Sequence, residues 1–197
     1  MLKVLRDEIV WKGERVSIVK RHFVDRYGQS QVYEVVCSNK GKYAVVVLAL
    51  TPENEIVLVC QQRISLSNDN DTNLALKHDI MTMELPGGVV GTPTQDIYVQ
   101  AMSTADQELL EETGYKRVGA FTMLAEHVPE DVGRYEMESI IFFTRVEKFG
   151  KPRPESTENI QVITVPLPIF SGFIHGRKYL DARIWMAYGI AKFRGLI

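Results

Sequence analysis

Runs of apolar residues along the first third of the chain predict β-strands. Residues 15–25 (RVSIVKRHFVD) and 31–37 (QVYEVVC) alternate apolar and polar positions with period two, as strands with one buried face do. Residues 43–50 (YAVVVLAL) are apolar throughout, which is typical of a strand buried on both faces. Residues 56–62 (IVLVCQQ) follow a turn sequence and are predicted to be the hairpin partner of that strand.

One amphipathic helix is predicted in the middle of the chain. Thr92 is a candidate N-cap, Pro93 stands at the first helical position and Gln95 completes a capping box. Gly114 provides the C-terminal stop. Between these ends, apolar residues recur at spacings of three and four, at Tyr98, Ala101, Met102, Ala105 and Leu109. The pattern indicates a helix that buries one stripe against a core.

Strands and a closing helix are predicted over the rest of the chain. Residues 117–128, 138–146 and 160–166 have the composition of strands. Residues 180–193 have a helical pattern capped by Asp181. Because strands and helices are mixed without strict alternation, the favoured class is α+β with a mixed sheet.

Two further predictions concern a polar segment and a tryptophan. Residues 64–81 are predicted to form a loop or a short helix that is either functional or mobile, because the segment is long for a connection in a compact domain. We expect this segment to shape specificity, the alternative being a tolerated surface insertion. Trp185 lies on the apolar face of the closing helix and is expected in the core.

Composition limits the class of protein. The chain has 197 residues, 45% of them hydrophobic, which suits one globular domain with an appended element. A net charge of −2 argues against nucleic-acid or membrane-surface binding, and the longest apolar run is too short to span a bilayer. The N-terminus lacks a signal-peptide pattern, and Cys37 and Cys60 stand alone in strand-like runs as expected buried, free thiols. We therefore expect a cytoplasmic protein.

Three glutamates gather at the end of the predicted middle helix, in the sequence ELLEETGY. Glu108, Glu111 and Glu112 fall within an arc of roughly 100° on a helix, and Lys116 is the only basic residue within four positions of any of them. The charges repel one another and lie at the helix end where the macrodipole disfavours anions. A solvated helical face is the ordinary explanation. The alternative is a site for Mg²⁺ or Mn²⁺, because hard cations prefer carboxylate oxygens.

A glycine turn precedes this helix, in the sequence MELPGGVV. Adjacent Gly87 and Gly88 allow backbone groups to approach a ligand closely. ELPGG followed by ELLEETGY resembles the signature of the Nudix hydrolases, whose second half is E-U-x-E-E-x-G-U with U aliphatic or aromatic. That half is matched by Glu108, Leu109, Glu111, Glu112, Gly114 and Tyr115.

The first half of the signature departs from the family. Gly88 and Glu108 are 20 positions apart, about five more than in the family pattern. The first motif glutamate has no clean counterpart, since its position is Val99 when counted back from Glu108 and Thr94 when counted from Gly88. Gln107 stands where the family has an arginine that orients a neighbouring glutamate. The box is therefore degenerate and contains an insertion.

The resemblance extends over most of the chain and is to the ADP-ribose pyrophosphatase branch. It implies a Nudix-type α/β/α sandwich with a mixed sheet for residues 43–197. It also implies that residues 1–42 form an N-terminal antiparallel strand element through which this branch makes swapped homodimers and completes an adenine pocket. Trp11, Tyr27 and Tyr33 are candidates for stacking on the base.

The resemblance also implies a metal site. Glu108, Glu112 and the carbonyl of Gly87 would ligate Mg²⁺ or Mn²⁺, with Glu111 as an additional ligand. Such ions neutralise charge on two phosphoryl groups and activate water. Glu111 and Glu112 are therefore counted as catalytic as well as metal-binding residues.

Other residues are implied to handle substrate and water. Glu158 corresponds to the general base, with Glu155 as a near competitor. Arg63, at the end of the predicted hairpin, corresponds to a phosphate-binding arginine, the alternative being a surface arginine at a strand end. Glu84 and Gly88 are expected to contact the substrate or shape the glycine loop.

Two functions from different classes follow. The first is a metal-dependent pyrophosphohydrolase that cleaves ADP-ribose or a related nucleoside diphosphate sugar to a nucleoside monophosphate and a sugar phosphate. The second is a Nudix-fold nucleotide sensor or interaction module with decayed chemistry, favoured by Gln107 and by the missing first glutamate. The enzyme is preferred, because a decayed site has no need to keep three mutually repelling glutamates.

Overall fold

The computed structural model describes residues 2–63, 81–92, 96–156 and 158–197, in which ten strands and three helices occur. The strands are β1 (Lys3–Lys12), β2 (Val16–Val24), β3 (Ser30–Ser38), β4 (Tyr43–Leu50), β5 (Glu55–Gln62), β6 (Met81–Glu84), β7 (Gly87–Val90), β8 (Tyr115–Asp131), β9 (Tyr135–Lys148) and β10 (Ile160–Pro166). The helices are α1 (Ile97–Thr113), α2 (Leu167–His175) and α3 (Ala182–Phe193). No helix within these residues has the length and apolar character needed to cross a membrane.

The strands belong to one mixed sheet. Its order is β1-β2-β3-β9-β4-β5-β10, with β6 paired to β5, β7 to β4 and β8 to β9. β4 and β9 run parallel along the whole of β4, whereas the β4–β5 and β8–β9 pairs are antiparallel. The predicted α+β class with a mixed sheet is confirmed.

Helices cover both faces of the sheet because the central strand is apolar on both sides. Successive side chains of a strand point to opposite faces. Val46, Leu48 and Leu50 of β4 pack into the core beneath α2 and α3, together with Phe170 and Ile184. Val45, Val47 and Ala49 pack into the core beneath α1, together with Ala101, Ala105 and Leu109. The continuous apolar run of β4 therefore produces the predicted α/β/α sandwich.

β4 and β5 separate along their length, and the glycine turn fills the gap. The two strands pair only at Ala49–Val57 and Leu50–Ile56. Beyond this point β7 pairs with β4 and β6 pairs with β5. The chain crosses between them at Leu85 and Pro86, so the glycines enter the sheet beside its most buried strand.

The N-terminal element consists of β1, β2 and β3, which pair in antiparallel order. Its last strand meets β9 through a single parallel pair, Val36–Tyr135. All ten residues of β1 are exposed, on both faces of the strand. The division of the chain at residue 42 remains a prediction.

Three sequence expectations differ from the structure. Thr92 lies in a bend and does not cap the helix; α1 begins at Ile97, capped by the Asp96 carboxylate, which accepts hydrogen bonds from the N–H groups of Tyr98 and Val99. Asp at least equals Thr as an N-cap. Trp185 is 40% exposed and not in the core. The two cysteines are free, as expected, but only partly buried.

The patterning also misses one helix, and one further prediction is not tested. Helix α2 is not predicted, because its Pro168 and Gly172 are poor helix formers; burial of Phe170 and Ile174 offsets that disadvantage. The prediction for residues 64–81 lies outside the described residues, apart from Met81, which begins β6.

Candidate active site

The acidic end of α1 lies against the glycine turn. Glu112 is 4% exposed, and Oε2 of its carboxylate accepts a hydrogen bond of 2.8 Å from the Gly87 N–H. A Cβ added to Gly88 would lie 2.0 Å from Oε1 of Glu108, and one added to Gly87 would lie 2.0 Å from the Val45 carbonyl oxygen. Both glycines are therefore required for the close approach of turn, strand and helix.

Burial and mutual repulsion change the acidity of two of the glutamates. Burial raises the pKa of Glu108 to about 7, and the carboxylates of Glu158, Glu111 and Glu155 add to the rise. Burial raises the pKa of Glu112 to about 8; the hydrogen bond from Gly87 opposes the rise, and the nearby Glu108 carboxylate reinforces it. Two acids that ionise with such difficulty next to each other form a site that favours a cation.

Basic residues offset this cluster only in part, since the charge of Arg63, which is paired with Glu84, also acts on Glu112. Lys116, the one cation near it in sequence, forms an ion pair of 2.9 Å with Glu147 instead. Glu111 accepts a hydrogen bond of 3.1 Å from Nε2 of Gln107, which is a neutral donor. No basic residue stands in the last turn of α1. The repulsion inferred from sequence therefore persists in the folded chain.

A loop after β9 brings two more acids to the same place. Gly114 has a φ of 69°, and its carbonyl accepts hydrogen bonds from the N–H groups of Phe149 and Gly150. The Arg153 N–H donates to the Glu111 carbonyl at 2.6 Å. The loop is thus attached to the end of α1, and Glu158 comes close enough to raise the pKa of both Glu108 and Glu112. Glu155 is named among the causes only for the pKa of Glu108.

Arg63 and Glu84 form a pair at one side of the acidic cluster. Two nitrogens of the Arg63 guanidinium donate to the two oxygens of Glu84, with Nε–Oε1 at 2.8 Å. The Thr82 hydroxyl also donates to Glu84. Glu84 is buried, and its charge contributes to the raised pKa of Glu112, so the pair and the cluster belong to one site.

An open cleft of about 790 Å³ adjoins the pair. Arg63, Thr82 and Glu84 line one wall, and the segment before α3 lines the other, including Lys178 and Tyr179. The second wall is held by a parallel bridge between Met83 and Leu180. The volume of the cleft lies in the range of small-molecule sites, about 300–1,000 Å³.

The second wall was not identified from sequence. Arg183 also lines the cleft and donates hydrogen bonds to Asp181 and Glu130. No sequence motif marks these residues, because the pairing of residues 83 and 180 brings them beside Glu84. Val99, one candidate position for the missing motif glutamate, lies in the first turn of α1 and is 47% exposed.

The donor set suits a hard divalent cation, although it does not form a closed cage. Carboxylate oxygens of Glu108 and Glu112 lie beside backbone groups of the glycine turn, and Mg²⁺ prefers such oxygens while keeping several waters. Over residues 2–63, 81–92, 96–156 and 158–197, no three His, Cys, Asp or Glu side chains converge closely enough to hold a metal ion as they stand. The Glu112 carboxylate is turned towards the Gly87 N–H.

A mixed sheet between α1 and the α2–α3 pair, with a glycine turn against an acidic helix end, is the Nudix fold. Comparison of the sequence with protein-family models and with curated proteins finds no match. Among solved structures, the chain is similar to an ADP compounds hydrolase, with a TM-score of 0.74 and 15% identity over 100% of this chain and 97% of that one. It is also similar to a NUDIX hydrolase from Nitrosomonas europaea, with a TM-score of 0.53 and 13% identity over 79% of this chain and 90% of that one. What the chain shares with them is the fold.

Proposed function

We propose that the protein is a metal-dependent pyrophosphohydrolase that cleaves ADP-ribose or a related nucleoside diphosphate sugar. The observation that carries this proposal is the pair of buried glutamates, Glu108 and Glu112, held against the glycine turn with raised pKa values that the nearby charge of Arg63 does not offset. A purely structural site would not retain such repulsion. The ADP compounds hydrolase that shares the fold along the whole chain supports an ADP-containing substrate.

Glu108, Glu112 and the Gly87 carbonyl would hold Mg²⁺ or Mn²⁺, with Glu111 at the margin. The N–H and C=O of one residue in an antiparallel strand point to the same side. Since the Gly87 N–H points to Glu112, the same relation would direct its carbonyl towards the acidic helix. A divalent cation there would neutralise the diphosphate and make water more acidic.

Glu158 would act as the general base, in preference to Glu155. Its carboxylate interacts with both Glu108 and Glu112, and its Oε2 accepts a hydrogen bond of 3.2 Å from the Glu155 N–H. In the reaction the water oxygen bonds to one phosphorus and the bridging P–O bond breaks. The water proton passes to Glu158, and the second phosphate leaves with its sugar. A well-placed base contributes about 10²–10⁴-fold.

Arg63 would bind the substrate phosphates, with Glu84 as the residue that orients it. The two hydrogen bonds between them fix the plane of the guanidinium. Gly88 would let the diphosphate approach the turn, because a side chain there would collide with Glu108. The adjoining cleft has room for the sugar half of the substrate.

The N-terminal element would complete the base pocket and form a homodimer. A groove of about 410 Å³ lies between this element and the β8–β9 turn, lined by Phe23, Tyr33 and Tyr135 among others. Tyr135 also lines the cleft beside Arg63, so the two cavities adjoin. In β1, Ile9 and Trp11 are exposed on an edge strand, a combination that favours pairing with a second chain.

A cytoplasmic location belongs to the same proposal. Cys37 and Cys60 are free, as thiols are in a reducing compartment.

The test is incubation of the protein with ADP-ribose and Mg²⁺, with release of AMP measured. We expect turnover that disappears when the metal is chelated and falls about 10³-fold in Glu112→Gln, as several kcal/mol of lost stabilisation require. Glu147→Gln is the matched control, because Glu147 is exposed and pairs with Lys116. Turnover that survives in Glu112→Gln would contradict the mechanism.

Dimerisation has a separate test. Ile9→Lys places a charge on the exposed β1 edge without touching the core. We expect light scattering to give a dimer mass for the wild type and a monomer mass for this variant. Lys12→Glu on the same strand tests whether any change of charge has that effect. A wild type that is monomeric at micromolar concentration contradicts this part of the proposal.

The second candidate is a nucleotide-binding module with decayed chemistry. Gln107 donates a single neutral hydrogen bond to Glu111, and Val99 offers no ligand, which favours this alternative. Calorimetry with a panel of dinucleotides and metals distinguishes the two. Tight binding without turnover would select the module.

A further inference from the structure

Gln61 carries a buried polar group that the fold leaves without a partner. The residue lies near the end of β5 and is 3% exposed. Its Oε1 accepts no hydrogen bond from any residue that the structure describes. Buried polar atoms are nearly always hydrogen-bonded, because an unpaired one has lost its water without replacement. A ligand that supplies a donor or a positive charge would satisfy this atom.

The side chain of Gln61 lies on the α1 face of the sheet. Side chains alternate along a strand, and Val57 of β5 packs into the core beneath α1, whereas Leu58 packs into the core beneath α2 and α3. Gln61 therefore shares the face of Val57. It is also directly opposite Thr82 of β6 and Ile160 of β10. The acidic end of α1 lies on this side of the sheet.

Neighbouring donors are directed elsewhere. The Thr82 hydroxyl donates to Glu84 and to the main-chain carbonyl of Gln61 rather than to its carboxamide. Arg63 directs Nε and Nη2 at Glu84. Glu84 in turn lies near enough to Glu112 to affect its pKa. Gln61 thus lies beside Thr82 and the Arg63–Glu84 pair, on the face of the sheet that carries the acidic end of α1.

We propose that the carboxamide oxygen of Gln61 is an additional ligand atom of the divalent-cation site, an inference that rests on the proposed function. The diphosphate cannot satisfy Oε1, because ionised phosphate oxygens only accept hydrogen bonds. A hydrated divalent cation can, directly or through one water, since carboxamide oxygens are accepted ligands of hard cations. Because the carboxamide is neutral, it adds a metal ligand without adding to the repulsion between Glu108 and Glu112.

The test is titration of the substrate-free protein with Mn²⁺, with free Mn²⁺ followed by electron paramagnetic resonance. Gln61→Leu removes the oxygen and keeps a similar volume, and we expect its Mn²⁺ affinity to fall about 10-fold or more, the size of effect that outer-shell partners have. Gln62→Leu is the matched control, because Gln62 is adjacent and lies on the opposite face. Its affinity should equal that of the wild type.

Each outcome decides the inference. Wild-type affinity in Gln61→Leu overturns it. Gln61→Glu has nearly the same shape as the wild type and is expected to bind Mn²⁺ more tightly. This variant keeps the test valid if Gln61→Leu folds poorly. Unchanged Mn²⁺ affinity in Gln61→Glu also overturns the inference. If the wild type itself does not bind Mn²⁺, the proposed function fails too. If Glu112→Gln loses Mn²⁺ and Gln61→Leu does not, only the role of Gln61 is refuted.

Discussion

Two acidic sites in this protein differ in how far basic side chains neutralise them. Glu136, at the start of β9, accepts hydrogen bonds from Arg21 and Cys37 and pairs with Lys42 at 3.2 Å. Burial alone would raise the pKa of Glu136, but the hydrogen bonds from Cys37, Arg21 and Lys42 outweigh it and hold the pKa below its ordinary value. This cluster attaches the N-terminal element to the central sheet.

The cluster on α1 is buried with less compensation, because Arg63, whose charge acts on Glu112, is paired with Glu84. Glu108 and Glu112 keep raised pKa values, chiefly because of burial. The fold neutralises the acid that serves attachment, whereas the charge of Arg63 does not offset the raised pKa of Glu112 where the acids face the glycine turn. We infer from this difference that a cation from outside the chain would neutralise the second site.

The largest predicted effect concerns the base. Glu158→Gln should reduce kcat about 10²–10⁴-fold while leaving Mn²⁺ affinity nearly unchanged, because Glu158 acts on water. Steady-state kinetics and Mn²⁺ titration measure the two effects. Glu155→Gln is the matched control on the same loop and should retain most of the activity. A larger loss in Glu155→Gln than in Glu158→Gln would reverse the assignment.

The second prediction compares the thermal stability of one variant from each acidic site. Glu136→Gln should lower the melting temperature by about 2–4 °C, because weakening its hydrogen bonds to charged groups removes about 1 kcal/mol. Glu112→Gln should raise the melting temperature of the metal-free protein at pH 8, because the amide can still accept from Gly87 and carries no charge. Calorimetry of both variants checks the signs. Equal signs would show that the clusters do not differ as described.

The third prediction follows from the direction of the pKa shifts. Glu108 and Glu112 have an ordinary pKa of 4.5 and folded-state pKa values of about 7 and about 8. The folded state therefore binds more protons than the unfolded state between about pH 4.5 and about pH 8, and the stability gained in this way is complete below that window. It is lost as the pH rises through 7 and 8. Metal-free protein should melt at a lower temperature at pH 8.5 than at pH 5.5, and a double Glu108→Gln, Glu112→Gln variant should lose most of that difference.

The smallest predicted effect concerns Gln107. Its hydrogen bond to Glu111 is exposed, and such a bond contributes about 0.5–1.5 kcal/mol. Gln107→Leu should therefore reduce kcat/KM by only a few-fold, and Gln107→Arg should match or exceed the wild type. Asp106 is the neighbour that pairs with Arg117, so Asp106→Asn tests whether any change at this helix position has the same effect.

Hydrophobic patterning predicts the part of the fold that is buried. β4, β5, β9 and β10 follow from their apolar runs, and α1 follows from its stripe. β1 has no comparable signal, because both of its faces are exposed and no buried face imposes a pattern of apolar and polar residues. Local signals also misplace the start of α1, where a cap at Asp96 competes with one at Thr92.

The candidate site divides in the same way. The three glutamates lie within one helical turn, so their proximity to one another can be inferred from helical spacing, whereas their contact with the glycine turn follows only from the resemblance. The Arg63–Glu84 pair and the orphan oxygen of Gln61 depend on the register between β5 and β6. Nothing in the letters QQR distinguishes the glutamine that is buried on the α1 face from the one beside it.

Calorimetric titration of the metal-free protein with Mn²⁺ at pH 8 tests the central claim most directly. The account predicts binding at α1 with release of protons, since buried carboxylates must ionise to ligate, and predicts that Glu112→Gln loses most of the affinity while Glu147→Gln keeps it. Absence of binding by the wild type, or equal binding by both variants, would contradict the account.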